Sequence, residues 1–478
     1  MISLGIDIGG TGCKCVAFDQ TGTMLAISYR EYPLPAGQKN LPPDMLREAV
    51  MSVMSECTDR LAAPKEVRAI TVSSFGESFV AIDADGNPIG DILLYFADSS
   101  SDEFSALVSR AGRERMMQIC RVLPDASYSL AKMLYTMRIA PAGVGAFLFV
   151  ASYICRCLCG ATVCDVSLAC RSLLFDVNRQ DWSAELLMQA GIRREQLPEV
   201  VATGTVVGTL LPDIAHQLHL GDDVAVVMGA HDQIANALGA GLQRPGEAVD
   251  TSGTCECITP LFRDMPDGLR FHEDNYACVP YLGGRGYVTY AYNLSAGSVV
   301  RWLRDVLGKS YDFLNTHCPD HPSDLMVLPF LQGMGGTPDV RPEVTGTILG
   351  LTTRTRAADI YRAALEGITF EMRYNQERLA MAGIGFGRLH ACGGGARSAV
   401  WLRIKADVLG CDIIPVLTEE TGAMGSAILG LAAISGEDAF SIASRFVRHG
   451  DAIHPDRGHQ EIYERKYSNY KQLRALLC

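Results

Sequence analysis

The chain has 478 residues, 42 of them basic and 54 acidic, and the formal net charge of −12 argues against a nucleic-acid partner. With 48% hydrophobic and 20% charged residues, and with 47 glycines and 21 prolines spread without period, it reads as a globular protein. Disordered, collagen-like and fibrous classes are excluded.

At about 100–200 residues per domain, the length predicts two or three domains. The chain opens LGIDIGGTGCKCVAFDQTGTMLAIS: two apolar β-rich runs around a glycine loop, then a turn at Asp19-Gln20-Thr21-Gly22 into a third strand. A strand over 69–73 follows, and SFGESFVAID with a turn at 84–87 predicts a further hairpin, hence a mixed sheet. Between about residues 100 and 200 the apolar spacing is mostly helical, as over 182–190. The uncharged stretch 139–155 contains Pro141, Gly143 and Gly145 and falls short of the roughly 20 apolar residues of a spanning helix. It is predicted to be buried core, with no membrane anchor. Sixteen cysteines without C-x-x-C spacing, and no leader ahead of the first strand, predict free thiols in a reducing cytoplasm.

A strand over 224–228 is broken by Gly229-Ala230-His231-Asp232 before a helix over 233–238, and polar residues at such a strand end commonly face a cleft. The hydrophilic turn at 243–247 marks the predicted boundary between domains 1–243 and 244–478. Beyond it, residues 248–254 again run from strand to small polar loop. A helix over 357–379, a strand over 389–392, a glycine loop, a helix over 398–409 and a helix of small residues opening at 422–427 complete the pattern. No short tandem repeat is present, so a solenoid is not expected.

Asp7-x-Gly9-Gly10-Thr11-Gly12-x-Lys14 offers an anion backbone N–H groups, a hydroxyl and a cation, and Asp7 offers oxygen to the waters of a magnesium ion. A tight hairpin explains the same residues, and the loop fits neither G-x-x-x-x-G-K-[ST] nor G-x-G-x-x-G. Thr251-Ser252-Gly253-Thr254 has a similar mix, and Gly393-Gly394-Gly395-Ala396-Arg397-Ser398 leaves room for a flat base or ribose against bare backbone. Three such loops, each after an apolar strand and spread over both halves, predict a nucleotide cleft between domains.

GIDIGGTGCK, GAHDQIANALGAG, DTSGTCE, SAGSVVRWLRD, AALEGITFEMR and GGGARSAVWLRIKADVLG, in this order, resemble the FGGY carbohydrate kinases of the sugar-kinase, Hsp70 and actin ATPase superfamily, over nearly the whole chain. The resemblance implies an α/β fold of two ribonuclease H-like (actin-like ATPase) domains with mixed central sheets and an inter-domain cleft, ATP mostly on the second domain and sugar mostly on the first. It makes Asp232 the base for the sugar hydroxyl, a role that in-line attack on a γ-phosphate asks for independently. A cap on the helix 233–238 is the alternative reading of that aspartate. By the same carry-over the substrate meets Glu77, Asp98, Tyr128, His231 and Asp232, and Asp7 and Asp232 serve Mg²⁺. The nucleotide meets Gly9, Gly10, Thr11, Gly12 and Lys14, then Gly253 and Thr254, Gly297 and Arg301, and finally Gly394, Gly395, Ala396 and Ser398.

Gly10 and Gly12 stand where the family carries hydroxyls, which implies a more flexible loop. Gly76, Phe96 and Ser100 depart from the arginine, tryptophan and arginine of the related kinases. Glu77 and Asp98 then imply a neutral polyol, and the missing arginines argue against an anionic sugar acid. The expected function is ATP-dependent phosphorylation of a neutral sugar, a pentulose (xylulose- or ribulose-like) or a short sugar alcohol. The alternative is a catalytically weak ATP- and sugar-binding regulatory protein on the same fold. A homodimer is expected by analogy only.

GIDIGGT also opens ROK-type sugar kinases and repressors, and Cys157-x-Cys159-Gly160-x-x-x-Cys164 superficially resembles their zinc cluster. The first histidine is His216, so no upstream fourth ligand exists, and buried thiols are predicted instead. No helix-turn-helix stretch precedes the glycine loop, as a repressor would want.

Overall fold

The computed structural model describes residues 1–35, 37–94, 97, 102–140 and 143–477. Strands β1 (Ile2–Ile8), β2 (Gly12–Asp19) and β3 (Met24–Glu31) form an antiparallel meander with the glycine loop at its first bend. β4 (Val67–Ser74) runs parallel to β1, and β5 (Val206–Thr209) and β6 (Ala225–His231) complete the order β5-β6-β4-β1-β2-β3. A parallel return needs a crossover, which the helix Pro43–Asp59 supplies. It starts with proline at its first turn and buries Leu46, Val50, Val53, Met54 and Cys57 at helical spacing.

The opposite face of this sheet receives the helix Thr421–Ser435, whose small residues let backbones touch. A Cβ on Gly5 would lie 1.9 Å from Ala423 O, one on Gly239 1.9 Å from Thr421 O, and one on Gly425 1.8 Å from Ala235 O. Covered on both sides, β1 and β4 are buried along nearly their whole length instead of alternating.

In the second half, β7 (Glu247–Ser252), β8 (Glu256–Phe262), β9 (Tyr287–Val288), β10 (Ala291–Asn293), β11 (Arg388–Cys392) and β12 (Asp412–Pro415) run β9-β8-β7-β11-β12, with β10 also on β8. Antiparallel pairs β7/β8 and β8/β9 followed by parallel pairs β7/β11 and β11/β12 repeat the plan of β1/β2, β2/β3, β1/β4 and β4/β6. Each half is therefore a mixed sheet of the same topology. The helices Ala357–Met381 and Arg457–Leu477 pack together through Phe370 and the rings of Tyr463, Tyr467 and Tyr470.

The chain folds into two compact units, Met1–Gly241 with Cys278–Gly284 and Glu420–Val447, and Leu242–Ala277 with Arg285–Glu419 and Arg448–Cys478. The first break falls at 241/242, two residues from the expected 243/244, and two later segments belong to the first unit: 420–447, which carries the glycine contacts of the 421–435 helix, and 278–284, where Tyr281 packs on Phe440. The hairpin expected after Ser74 is present in short form, with Ile82 bridging Pro88 antiparallel and Ile89 N donating to Ala81 O at 2.7 Å across the turn, and Phe79–Ile82 also pairs with Ala146–Phe149. Among the described residues fifteen cysteines are free thiols, and no helix is long and apolar enough to cross a membrane.

Candidate active site

Asp232 is the first residue of the helix Asp232–Gly239, directly after the end of β6. The junction is kinked by a register shift between Met228 and His231, and Gly229 makes room for it, because a Cβ there would sit 2.3 Å from Ser73 Oγ. Two hydroxyls pin the bend: Ser73 Oγ accepts from Ala230 N at 3.1 Å, and Ser167 Oγ accepts from His231 N at 2.8 Å. Ser167 in turn donates to Asp165 Oδ2 at 2.6 Å, and Asp165 also accepts from Leu168 N and Thr203 Oγ1.

The N-cap position belongs to His231, whose side chain makes no cap bond, and Asp232 opens the first turn, where its carboxylate takes the Gln233 N–H. Asp232 Oδ1 is buried without a hydrogen-bond partner, 3.3 Å from His231 Nε2, while the side chain as a whole keeps 28% of its surface exposed. Burial, and after it the charges of Asp7 and Glu77, push the Asp232 carboxyl up to about 8, against the Gln233 N–H and Arg171. Burial and Arg171 push His231 well below its usual range, so the imidazole is neutral.

Glu77 has a left-handed backbone, φ 62°, a conformation that a non-glycine residue holds only when its surroundings insist on it. Its carboxylate receives Arg171 Nε at 2.5 Å and an Nη contact, in a pair only 13% and 12% exposed. Arg171 lies over the Tyr128 ring at 4.8 Å. Gly76 permits this, since a Cβ there would meet Arg171 Cγ at 2.7 Å and His231 Cδ2 at 3.0 Å. Tyr128 precedes the helix Ser129–Ile139, and the buried Lys132 donates to the carbonyls of Ser127 and Tyr128. Burial pushes Lys132 down to about 8, opposed by Glu77 and Asp125. Asp98, Phe96 and Ser100 lie outside the described residues.

At the first glycine loop, Asp7 and Lys14 are cross-strand neighbours on β1 and β2. Burial pushes Asp7 up to about 6, with Lys14 opposing and Glu420 adding to it. Lys14 Nζ bonds Glu420 Oε2 at 2.5 Å, and although burial acts the other way, Glu420 holds the ammonium above its usual range. Thr11 is exposed at the tip, Gly9 N donates to Gly12 O at 2.9 Å, and Gly10 lies between them. Gly12 already belongs to β2, paired with Glu31, and a Cβ there would lie 2.6 Å from Arg30 O. A flexible loop at that position is therefore corrected to a tightly packed strand start.

The second unit gathers most of the other expected residues. Gly297 N and Ser298 N donate to Gly253 O and Thr254 O at 3.2 and 3.1 Å, docking the helix Gly297–Leu307 on the 251–254 loop. Gly393, at φ 82°, and Gly395 pass Ser252 so closely that Cβ atoms would sit 2.8 Å from its carbonyl oxygen and 2.5 Å from its Cβ. Gly394 and Ala396 share the short turn Gly394–Arg397, and Ser398 caps the helix Ala399–Leu409 through Trp401 N. Arg301 stands exposed on the Gly297–Leu307 helix.

Residues 2–239 match the N-terminal domain, and residues 273–434 the C-terminal domain, of the FGGY family of carbohydrate kinases. The chain belongs to this family. It is 24% identical to the xylulose kinase of Staphylococcus xylosus over 98% of this chain and 99% of the relative. The gluconokinase of Bacillus subtilis is 27% identical over 93% and 90% of the two chains. A solved xylulose kinase from Brucella ovis superposes with a TM-score of 0.90 at 24% identity, covering 100% of this chain and 99% of that one. The protein is a carbohydrate kinase on the two-domain actin-like ATPase fold.

Two groups in the kinase escaped the sequence reading. Arg171 was hidden inside a run that otherwise reads as an apolar segment, and only the fold brings it 94 positions back to Glu77. Beneath the second unit's loops, the fully buried Lys405 bonds Asp250, Glu256 Oε1 at 2.7 Å and Ser252 Oγ at 2.5 Å. Burial pushes Glu256 up against the pull of Lys405. Cys157 and Cys159 are half-buried and Cys164 is buried, and none of the three is in a disulfide.

Proposed function

We propose that this kinase transfers the γ-phosphoryl group of ATP to a hydroxyl of a pentulose, with Asp232 as the base. The observation that carries the reading is the Asp232 carboxylate at the kinked strand–helix junction, with its buried, unpartnered Oδ1. A base whose pKa is about 8 is basic enough to take a hydroxyl proton and still ionised in part near neutrality. As the sugar oxygen bonds to the γ-phosphorus, its proton passes to Asp232 and the bond from phosphorus to the β–γ bridging oxygen breaks, releasing ADP.

Gly9, Gly10, Thr11, Gly12 and Lys14 on the first unit, and Gly253, Thr254, Gly297, Arg301, Gly394, Gly395, Ala396 and Ser398 on the second, are the proposed nucleotide contacts. Asp7 and Asp232 fit magnesium, because the charge of Asp7 raises the proton affinity of Asp232 and a dication would relieve it, and Mg²⁺ needs only one or two carboxylates when phosphates supply the rest. Bound there, the ion would supply positive charge to the phosphates. The pentulose is favoured by the full-length likeness to xylulose kinases, and a neutral ligand by the charge balance of Glu77 with Arg171.

The test is ADP release from MgATP with D-xylulose, D-ribulose, glycerol and D-gluconate. A pentulose is expected to give the highest kcat/KM, and Asp232→Asn to lower turnover by about 10²–10⁴-fold. Preference for glycerol or gluconate overturns the substrate, and a loss below about tenfold overturns the role of Asp232. Sugar binding without ADP release would instead establish the regulatory protein.

A further inference from the structure

We propose that Arg171 is a specificity-determining residue, and that Glu77 excludes sugar acids by occupying the guanidinium edge a substrate carboxylate would take. This rests on the reading above that Glu77 lines the sugar site. Arginine presents a fixed fork of donors that matches a carboxylate, and here a protein carboxylate already fills part of it. Three features hold the fork in place: the Tyr128 ring at 4.8 Å, the tie of Lys132 to the Tyr128 carbonyl at 3.3 Å, and the bare backbone of Gly76.

The pair is nearly buried, so its charges meet little water and an added anion would be poorly screened. A neutral polyol needs no change in that balance: one hydroxyl donates to Glu77 and its neighbour accepts from Arg171. An aldonate carboxylate must either displace Glu77 or sit beside it as a second negative charge. The absence of arginine at position 76 is therefore not what disfavours an acid. An arginine is present, and it is taken.

Removing only the charge of Glu77 should open the site to acids. In Glu77→Gln, the ratio of kcat/KM for D-gluconate to that for D-xylulose is expected to rise at least 30-fold, and calorimetric titration should show gluconate binding that the wild type lacks. Arg171→Lys, which keeps the charge but loses the fork, should raise KM for the pentulose more than tenfold while KM for ATP moves less than threefold. The double variant Glu77→Gln/Arg171→Met, with both charges removed together, should lose the gained gluconate binding. Circular dichroism checks that each variant folds.

An unchanged substrate ratio together with no gluconate binding by Glu77→Gln overturns the inference, as does gluconate binding that survives in the double variant. If wild type prefers no pentulose, the substrate reading fails by itself. Gluconate binding to Glu77→Gln still decides the role of Arg171.

Discussion

Gly425→Ala puts a methyl group where the helix Thr421–Ser435 meets Asp232–Gly239. Its Cβ would lie 1.8 Å from Ala235 O, 2.7 Å from Ala235 C and 3.1 Å from Gly239 N. Close carbon–oxygen contacts between helices run about 3.3–3.6 Å, so the two helices must part by about 1.5 Å. Every atom met is backbone, and no rotamer relieves the overlap. Overpacking a core costs about 1–3 kcal/mol, and with main chain on both sides about 3 kcal/mol or more is expected. At about 2–4 °C per kcal/mol for a domain of this size, the Tm should fall by about 6–12 °C. The helix pushed aside begins with Asp232, and a misplacement of about 1 Å costs on the order of 10²-fold in rate. Calorimetry reads the first effect, and ADP release at 25 °C, where the variant is still folded, reads the second. Gly385→Ala, with nothing within 4 Å of its Cβ, is the control and should change neither. A Gly425→Ala protein that melts and turns over like wild type would refute both the helix contact and its link to the base.

Asp232→Asn should be more stable than wild type in alkaline solution. The folded carboxyl has its pKa raised from 3.8 to about 8, so the folded state binds that proton more tightly and stability falls as pH rises from about 4 to about 8. The full effect is bounded near 6 kcal/mol, and after the cost of a buried amide about 1–3 kcal/mol should remain at pH 8 and vanish near pH 4, as urea denaturation would show. Lys405→Met leaves Asp250 and Glu256 buried without their cation, a loss of about 3–5 kcal/mol, part of which Glu256→Gln added to it should restore. Equal denaturation midpoints for Lys405→Met and wild type would show that the ammonium is not needed. Ser167→Ala strips the acceptor from His231 N and a donor from Asp165, costing about 1–3 kcal/mol. It should lower kcat severalfold, and an unaltered kcat would mean that the junction holds Asp232 without it.

What the sequence displays are features that lie close together along the chain. The meander, the glycine loops, Asp232 after its strand and the helix over 357–379 all arise from local period or from a turn; the helix stands within two residues of expectation, while the strand before Asp232 runs through the expected break to His231, three residues past 228. Charge pairs made across the fold leave no such mark. Glu77 meets Arg171 94 positions away, Asp250 meets Lys405 at 155, and Lys14 meets Glu420 at 406. Strand Phe79–Ile82 shows both cases: the turn after it closes the short bridge of Ile82 with Pro88 that local pattern predicts, while its longer partner, Ala146–Phe149, lies over sixty residues on and left no local mark.

The helix 421–435 shows how a visible signal can lack its meaning. Its glycines and alanines read from sequence only as small residues, and helix propensity alone would disfavour three glycines in fifteen positions. Packing reverses that judgement, because Gly425 and Gly430 face Ala235 O and the hydroxyls of Ser3 and Thr71 at distances that admit no side chain, and a Cβ on Gly422 would lie 2.7 Å from the Asp7 carboxylate. The close approach brings the helix start onto β1 and β2, and with it Glu420, held at φ 58° just ahead of the first turn. Glu420 then takes the ammonium of Lys14 and adds its charge to that of Asp7. Lys14 is thus already paired in this structure, and any phosphate it binds must share it with Glu420. A chain segment more than four hundred residues away sets the charge of the first glycine loop, and glycine at these positions is what lets it arrive.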